Sequence, residues 1–191
     1  LSSGILIRMN NYLNYESYCN KVKKVNDEYW NRSYPARWEY IEPVISELKT
    51  ISPKTAIELG SYKISLMDFS DNMGLDQNFF DQDNINNENY IFDARKTPWP
   101  IEDKKYDVFI ALQVLEHLNP NQSQVFDEIK RISKSCILTL PYLWNSPKDI
   151  THHNVTDEVI NGWTNQHVPY KRTIIGSNKN RLRVMLCYKF D

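Results

Sequence analysis

Three of the chain's four histidines fall in two short stretches, His117 in LEHL and the pair His152-His153 in THHN. Imidazole titrates near neutrality, which suits it to taking up or releasing a proton at physiological pH. His117 and His153 are therefore the candidate catalytic residues, with His152 beside them. A second group is of carboxylates fit to accept hydrogen bonds: Glu58 in IELG, Asp71 in FSDN and Asp93 in FDAR. Gln113 and Glu116 close the apolar run YDVFIAL just ahead of His117. No metal site is expected, because adjacent histidines without an acid or cysteine at ligand spacing make a poor zinc motif. Arg32 and Arg37 stand among aromatics in YWNRSYPARW. That composition suits either a grip on an anionic or sugar-containing ligand, by bidentate hydrogen bonds and stacking, or a plain helical layer.

These side chains need elements to hold them. The 191 residues suffice for one domain with a real core, and 41% hydrophobic with 25% charged residues is ordinary for a globular chain. A net charge of -1 argues against general affinity for nucleic acid or anionic membrane. No apolar run reaches the roughly 20 residues of a membrane span, and no basic-then-apolar leader pattern opens the chain. Cys19, Cys136 and Cys187 are scattered and odd in number, which fits reduced, packed thiols and a cytoplasmic location.

Helical spacing links Tyr15, Cys19, Val22 and Tyr29, and again Trp38, Ile41, Ile45 and Leu48, with Pro43 predicted to kink the second helix or open a new one. Apolar strands are expected at 55–59, at YIF before Asp93, at YDVFIAL, at SCILTLP and at RLRVMLCYKF. Helices are expected around 125–132 and 156–163. Residues 74–89 are Asn/Asp-rich and predict a loop pinned by Phe79 and Phe80. Strands alternating with helices predict an α/β fold with a largely parallel sheet. Ligands of such sheets bind at the carboxyl ends of the strands. Gly60, Asp93, Gln113, Glu116, His117, Pro141 and Tyr142 all follow or end predicted strands, so they share one edge.

From about Thr55 to Trp144 the chain resembles the class I S-adenosylmethionine-dependent methyltransferases. The resemblance rests on DARKTPWPIEDKKYDVFIALQVLEHL, with ELGSYK before it and ILTLPY after it. It implies a Rossmann-like fold whose largely parallel sheet, flanked by helices, carries an antiparallel C-terminal strand. Residues 1–50 would form an N-terminal helical segment or lid, and 51–191 the methyltransferase-like α/β domain. The implied cofactor is S-adenosylmethionine. By the resemblance, Asp93 accepts a hydrogen bond from the adenine amino group and Ala94 offers its backbone N–H. Glu58 lies near the methionine end, and Gln113 touches the methionine moiety or the acceptor. A carboxylate after the second strand would hold the ribose hydroxyls; Asp71 is favoured over Asp76 because it follows the apolar SLMDF.

The family's three-glycine cradle is missing. Here Gly60 is followed by Ser61, Tyr62 and Lys63, and the segment before the next strand is too short for a full crossover helix. Gly60 and Ser61 remain the residues expected against the cofactor. Two functions stay open at this point. One is methyl transfer by in-line displacement to a small molecule or glycan. The other is an inactive, cofactor-free interaction module, favoured by the missing glycine cradle. A cleft sealed by Tyr62 or Lys63 would sink the enzyme reading, and an open cleft between Gly60, Asp93 and Gln113 would sink the simplest form of the module. Oligomeric state is not legible.

Overall fold

The computed structural model describes residues 12–84 and 87–191. Seven strands form one sheet in the order β3-β2-β1-β4-β5-β7-β6. They are β1 (Ala56–Leu59), β2 (Ser70–Gly74), β3 (Asn89–Ile91), β4 (Val108–Leu112), β5 (Ser135–Pro141), β6 (Lys171–Ile175) and β7 (Arg183–Lys189). The first five run parallel, and β7 lies antiparallel between β5 and β6. Strand order reverses between β1 and β4, the position at which an open α/β sheet leaves a crevice.

Alternate residues along each strand feed two cores. Ile57 and Leu59 of β1, with Phe109 of β4, face the side covered by α4 (Gln122–Ile132) and α5 (Asp157–Trp163). Val125, Phe126, Ile129 and Ile132 supply the apolar stripe of α4, all fully buried. Ala56, Val108 and Ile110 face the other side, where α1 (Tyr15–Val25) and α3 (Tyr34–Ile51) lie, with the short α2 (Glu28–Asn31) between them. Asn14 and Ser17 cap α1 reciprocally, and α1 ends at left-handed Asn26. The α3 helix runs unbroken through Pro43, which costs it one backbone hydrogen bond rather than ending it. Tyr29 belongs to α2, not to the face of α1 that its spacing suggested.

Three strand expectations shift. The second strand is the polar SDNMG, not the apolar SLMDF. No helix joins Gly60 to Ser70, as the short spacing predicted, and Ile64, Leu66 and Met67 fill the core where a crossover helix would otherwise pack. The polar strand is tolerable because buried Asn72 is satisfied by Asn89 at 2.9 Å on the neighbouring strand. β3 is an edge strand with Ile91 half exposed, rather than a core strand. β6 was not anticipated; its KRTII is exposed along most of its length and carries little apolar signal. Cys136 and Cys187 are buried in β5 and β7, Cys19 is half-buried, and all three are free thiols. No helix among the described residues is long and apolar enough to cross a membrane.

Candidate active site

The carboxyl ends of β1, β3 and β4 border a cleft of about 330 Å³ reached by Gly60, Asp93, Ala94, Val114 and His117. Gly60 is left-handed at φ +69°, and a Cβ there would meet Val114 Cγ2 at 2.9 Å. Only glycine lets the loops after β1 and β4 come this close. Tyr62 and Lys63 are also left-handed, at φ 46° and 72°. Such backbone costs roughly 1 kcal/mol per residue and survives only where the surroundings hold it. Here Trp30 Nε1 donates to Tyr62 O at 2.7 Å and Lys63 N to Phe79 O at 2.6 Å. The Tyr62 ring stacks on Phe79, 5.0 Å between centroids, and walls the cleft instead of plugging it. Lys63 turns away to Asp27 at 2.7 Å. Tyr62 and Lys63 therefore do not seal the cleft, which is open at Gly60 and Asp93.

Asp93 sits on the rim with its carboxylate accepting from the Arg95 guanidinium at 2.8–3.2 Å and from Arg95 N at 3.0 Å. Those bonds hold its pKa down at about 2, so it is an ionised acceptor throughout the physiological range. Ala94 is buried beside it, and its carbonyl accepts the Trp99 indole N–H at 2.9 Å.

A second cleft, about 590 Å³, adjoins the first and shares His117 with it. Gln113 belongs to this one. It follows β4 at φ 58°, with its N–H bonded to Thr139 O. Polar residues follow β4 because at Gln113 the chain leaves the sheet for this cleft. Arg37, Arg181 and Arg183 line it against one carboxylate, Glu39. The Arg37 guanidinium lies 3.6 Å over the Tyr29 ring, and those of Arg181 and Arg183 lie 4.7 and 5.3 Å over Trp144. Burial lowers the pKa of Arg183 from its usual value. Arg37 was legible among its aromatics. Arg181 and Arg183 were not, since two arginines ahead of an apolar strand read as solvated charge.

His152 also lines this cleft, with its ring stacked on Trp144 and its Nδ1 2.6 Å from Asp149 Oδ2. His153, its neighbour, points elsewhere: its Nδ1 accepts the Ser146 N–H at 3.0 Å within a bridge to Trp144. The turn from Asp149 to His153 directs the two rings differently, so the cleft receives His152 in place of the expected His153. Burial, and then the neighbouring His152, lowers the His117 pKa. Beneath both rings lies Glu116, its carboxylate fully buried and its pKa pushed by burial up to about 8.

Asp71 is corrected as well. The second strand begins one residue before it, so Asp71 lies at the wrong end of β2 for a ligand. Its carboxylate accepts from Tyr106 Oη at 2.6 Å and Glu88 N at 2.9 Å. The carboxylate that follows the strand is Asp76, engaged in capping the turn Gln77–Phe79. Glu58 and Ser61 lie behind Gly60, at a small cavity of about 30 Å³ on the α3 side. There Glu58 accepts the Leu66 N–H at 2.9 Å, which fixes the segment standing in for the missing helix.

Burial raises the Glu58 pKa to about 7, against the opposing Leu66 N–H. A carboxyl whose folded pKa exceeds its unfolded value stabilises most below the unfolded pKa, and that contribution is lost as pH rises to the folded one. Wild type should therefore lose stability between about pH 4.5 and 7, by on the order of 3 kcal/mol. Thermal melts of Glu58→Gln across this window should show a shallower decline than wild type. Parallel profiles would contradict the assignment.

Residues 52–136 match the family model described as "Methyltransferase domain". Among solved structures, the PH0226 protein from Pyrococcus horikoshii OT3 shares 15% identity over 94% of this chain and 100% of that one, with a TM-score of 0.64. The N-methyltransferase NodS from Bradyrhizobium japonicum WM9 shares 10% identity over 78% and 95%, with a TM-score of 0.57. The N-terminal domain of EvdMO1, crystallised in the presence of SAH and D-fucose, shares 9% over 80% and 83%, with a TM-score of 0.53. At these identities the likeness speaks for the fold. No curated protein matches the sequence. With the strand order and the open cleft at its switch point, the matched span gives this chain a Rossmann-like methyltransferase fold, for which S-adenosylmethionine is the indicated cofactor.

Proposed function

We propose that the enzyme methylates an anionic small molecule or glycan. The observation that carries this reading is the pairing of two clefts of opposite character that meet at His117. S-adenosylmethionine occupies the one between Gly60 and Asp93, with its adenine against Asp93 and Ala94 and its sulfonium toward Gln113. The acceptor occupies the arginine-lined cleft, its charge facing Arg37, Arg181 and Arg183 and any sugar ring facing Trp144. Methyl transfer from a sulfonium is an in-line displacement, and holding donor and acceptor in register accounts for much of its acceleration. The contact point at His117 supplies that register.

The test is S-adenosylhomocysteine release with a panel of hydroxylated carboxylates, sugar phosphates and uronic acids, set against their uncharged counterparts. Anionic acceptors should be preferred. Arg181→Gln should raise the acceptor KM about tenfold, as expected for losing one charged hydrogen bond, and leave S-adenosylhomocysteine binding unchanged. Turnover confined to uncharged acceptors would overturn the reading.

A further inference from the structure

Glu116, His117 and His152 come from two separate loops, yet one ligand atom of each lies within 4.8 Å of the other two. Glu116 Oε1 stands 4.0 Å from His117 Nε2 and 3.9 Å from His152 Nε2. Neither Glu116 oxygen has a hydrogen-bond partner on another described residue, although its side chain is wholly buried. A buried carboxylate left this way is costly, and native structures rarely keep one without a reason. The three donors are of the kind that holds a divalent ion.

We propose that Glu116, His117 and His152 form a binding site for a divalent first-row transition-metal ion at the floor of the arginine-lined cleft. Two imidazoles and one carboxylate make a three-sided donor set that leaves further coordination positions free. Both histidines line the cleft, so those positions face it. His152 is prepared for the role: its Nδ1 is engaged by Asp149 at 2.6 Å, which leaves the Nε2 lone pair for the ion. The Trp144 ring, stacked on it, fixes its plane. Adjacent donors around such an ion stand about 3 Å apart, given metal–ligand distances near 2.1 Å. Closing the triad takes about an ångström of side-chain rotation. The placement gives His117 a ligand's part rather than a base's. A bound ion would hold an acceptor oxygen beside the cofactor's methyl group; that consequence rests on the acceptor reading above, whereas ion binding itself does not.

Calorimetric titration of tag-free, chelator-stripped protein with Mn²⁺ alone, repeated with Co²⁺ and Zn²⁺, tests the site without cofactor or acceptor. Wild type should bind one ion. Glu116→Gln, which keeps the buried shape, and His152→Ala should each weaken it about 100-fold or more, and Asp149→Asn about tenfold through His152. Co²⁺ should give visible absorption bands that Glu116→Gln abolishes. A folded wild type that takes up none of the three ions at millimolar concentration would overturn the proposal, as would equal binding by Glu116→Gln. S-adenosylhomocysteine titrated into the same metal-free samples separates a failure of the ion site from a failure of the cofactor cleft.

Discussion

Asp93→Ala should weaken S-adenosylhomocysteine binding by about 10- to 100-fold, the scale of one hydrogen bond to a charged acceptor, while thermal stability changes little. Asp93 is on the rim and its carboxylate is spent on Arg95, its near neighbour in sequence, rather than on any element of the core. Deleting it therefore removes an acceptor without opening a cavity. With a pKa of about 2 it is already ionised at any working pH, so its loss should cost the same at pH 6 and pH 8. Arg95 provides the control. Its guanidinium competes for the oxygens that the adenine amino group would use, so Arg95→Ala should bind the cofactor product as well as wild type or better. Calorimetry on the two variants decides it: equal losses would assign the contact to the ion pair as a unit, and no loss in Asp93→Ala would remove the adenine role from this residue.

The largest effect on stability is expected from Trp99→Ala, at about 3–5 kcal/mol. The segment between β3 and β4 contains no helix or strand, yet it carries Asp93 and Ala94 and must be rigid enough to present them. Trp99 is the anchor. It is buried, stacks over Phe109 with centroids 5.8 Å apart, and donates its indole N–H to Ala94 O. Its own N–H donates to Glu128 of α4, and Arg131 holds both the Glu128 carboxylate and the Trp99 carbonyl. Trp99→Ala removes the ring and leaves the Ala94 carbonyl without its partner. Trp99→Phe keeps most of the packing and loses only the indole donor, so it should cost about 1–2 kcal/mol. Because that donor holds Ala94, Trp99→Phe should also weaken S-adenosylhomocysteine binding severalfold. Denaturant unfolding and calorimetry measure the two effects separately. A cost below about 1 kcal/mol for Trp99→Ala would mean that the segment is held by Arg131 and Glu128 without it.

What the sequence determined by itself was set by local pattern. Apolar runs ending in Gly60, Asp93 and Gln113 placed the strand ends, the spacing of Val125, Phe126, Ile129 and Ile132 placed α4, and the short interval after Gly60 announced the missing crossover helix. Each rests on the period or length of a few neighbouring residues. The tertiary structure decided what depends on partners far along the chain. SDNMG is a strand because Asn89 satisfies Asn72, and SLMDF is not one because Leu66 and Met67 are needed against α1 and α3. Asp71 is taken up by Tyr106, and His152 rather than His153 enters the cleft. Arg181 and Arg183 acquire meaning only opposite Trp144, and Glu116 only under two histidines from different loops. Burial and charge pairing are properties of the folded neighbourhood, so no reading of adjacent residues contains them.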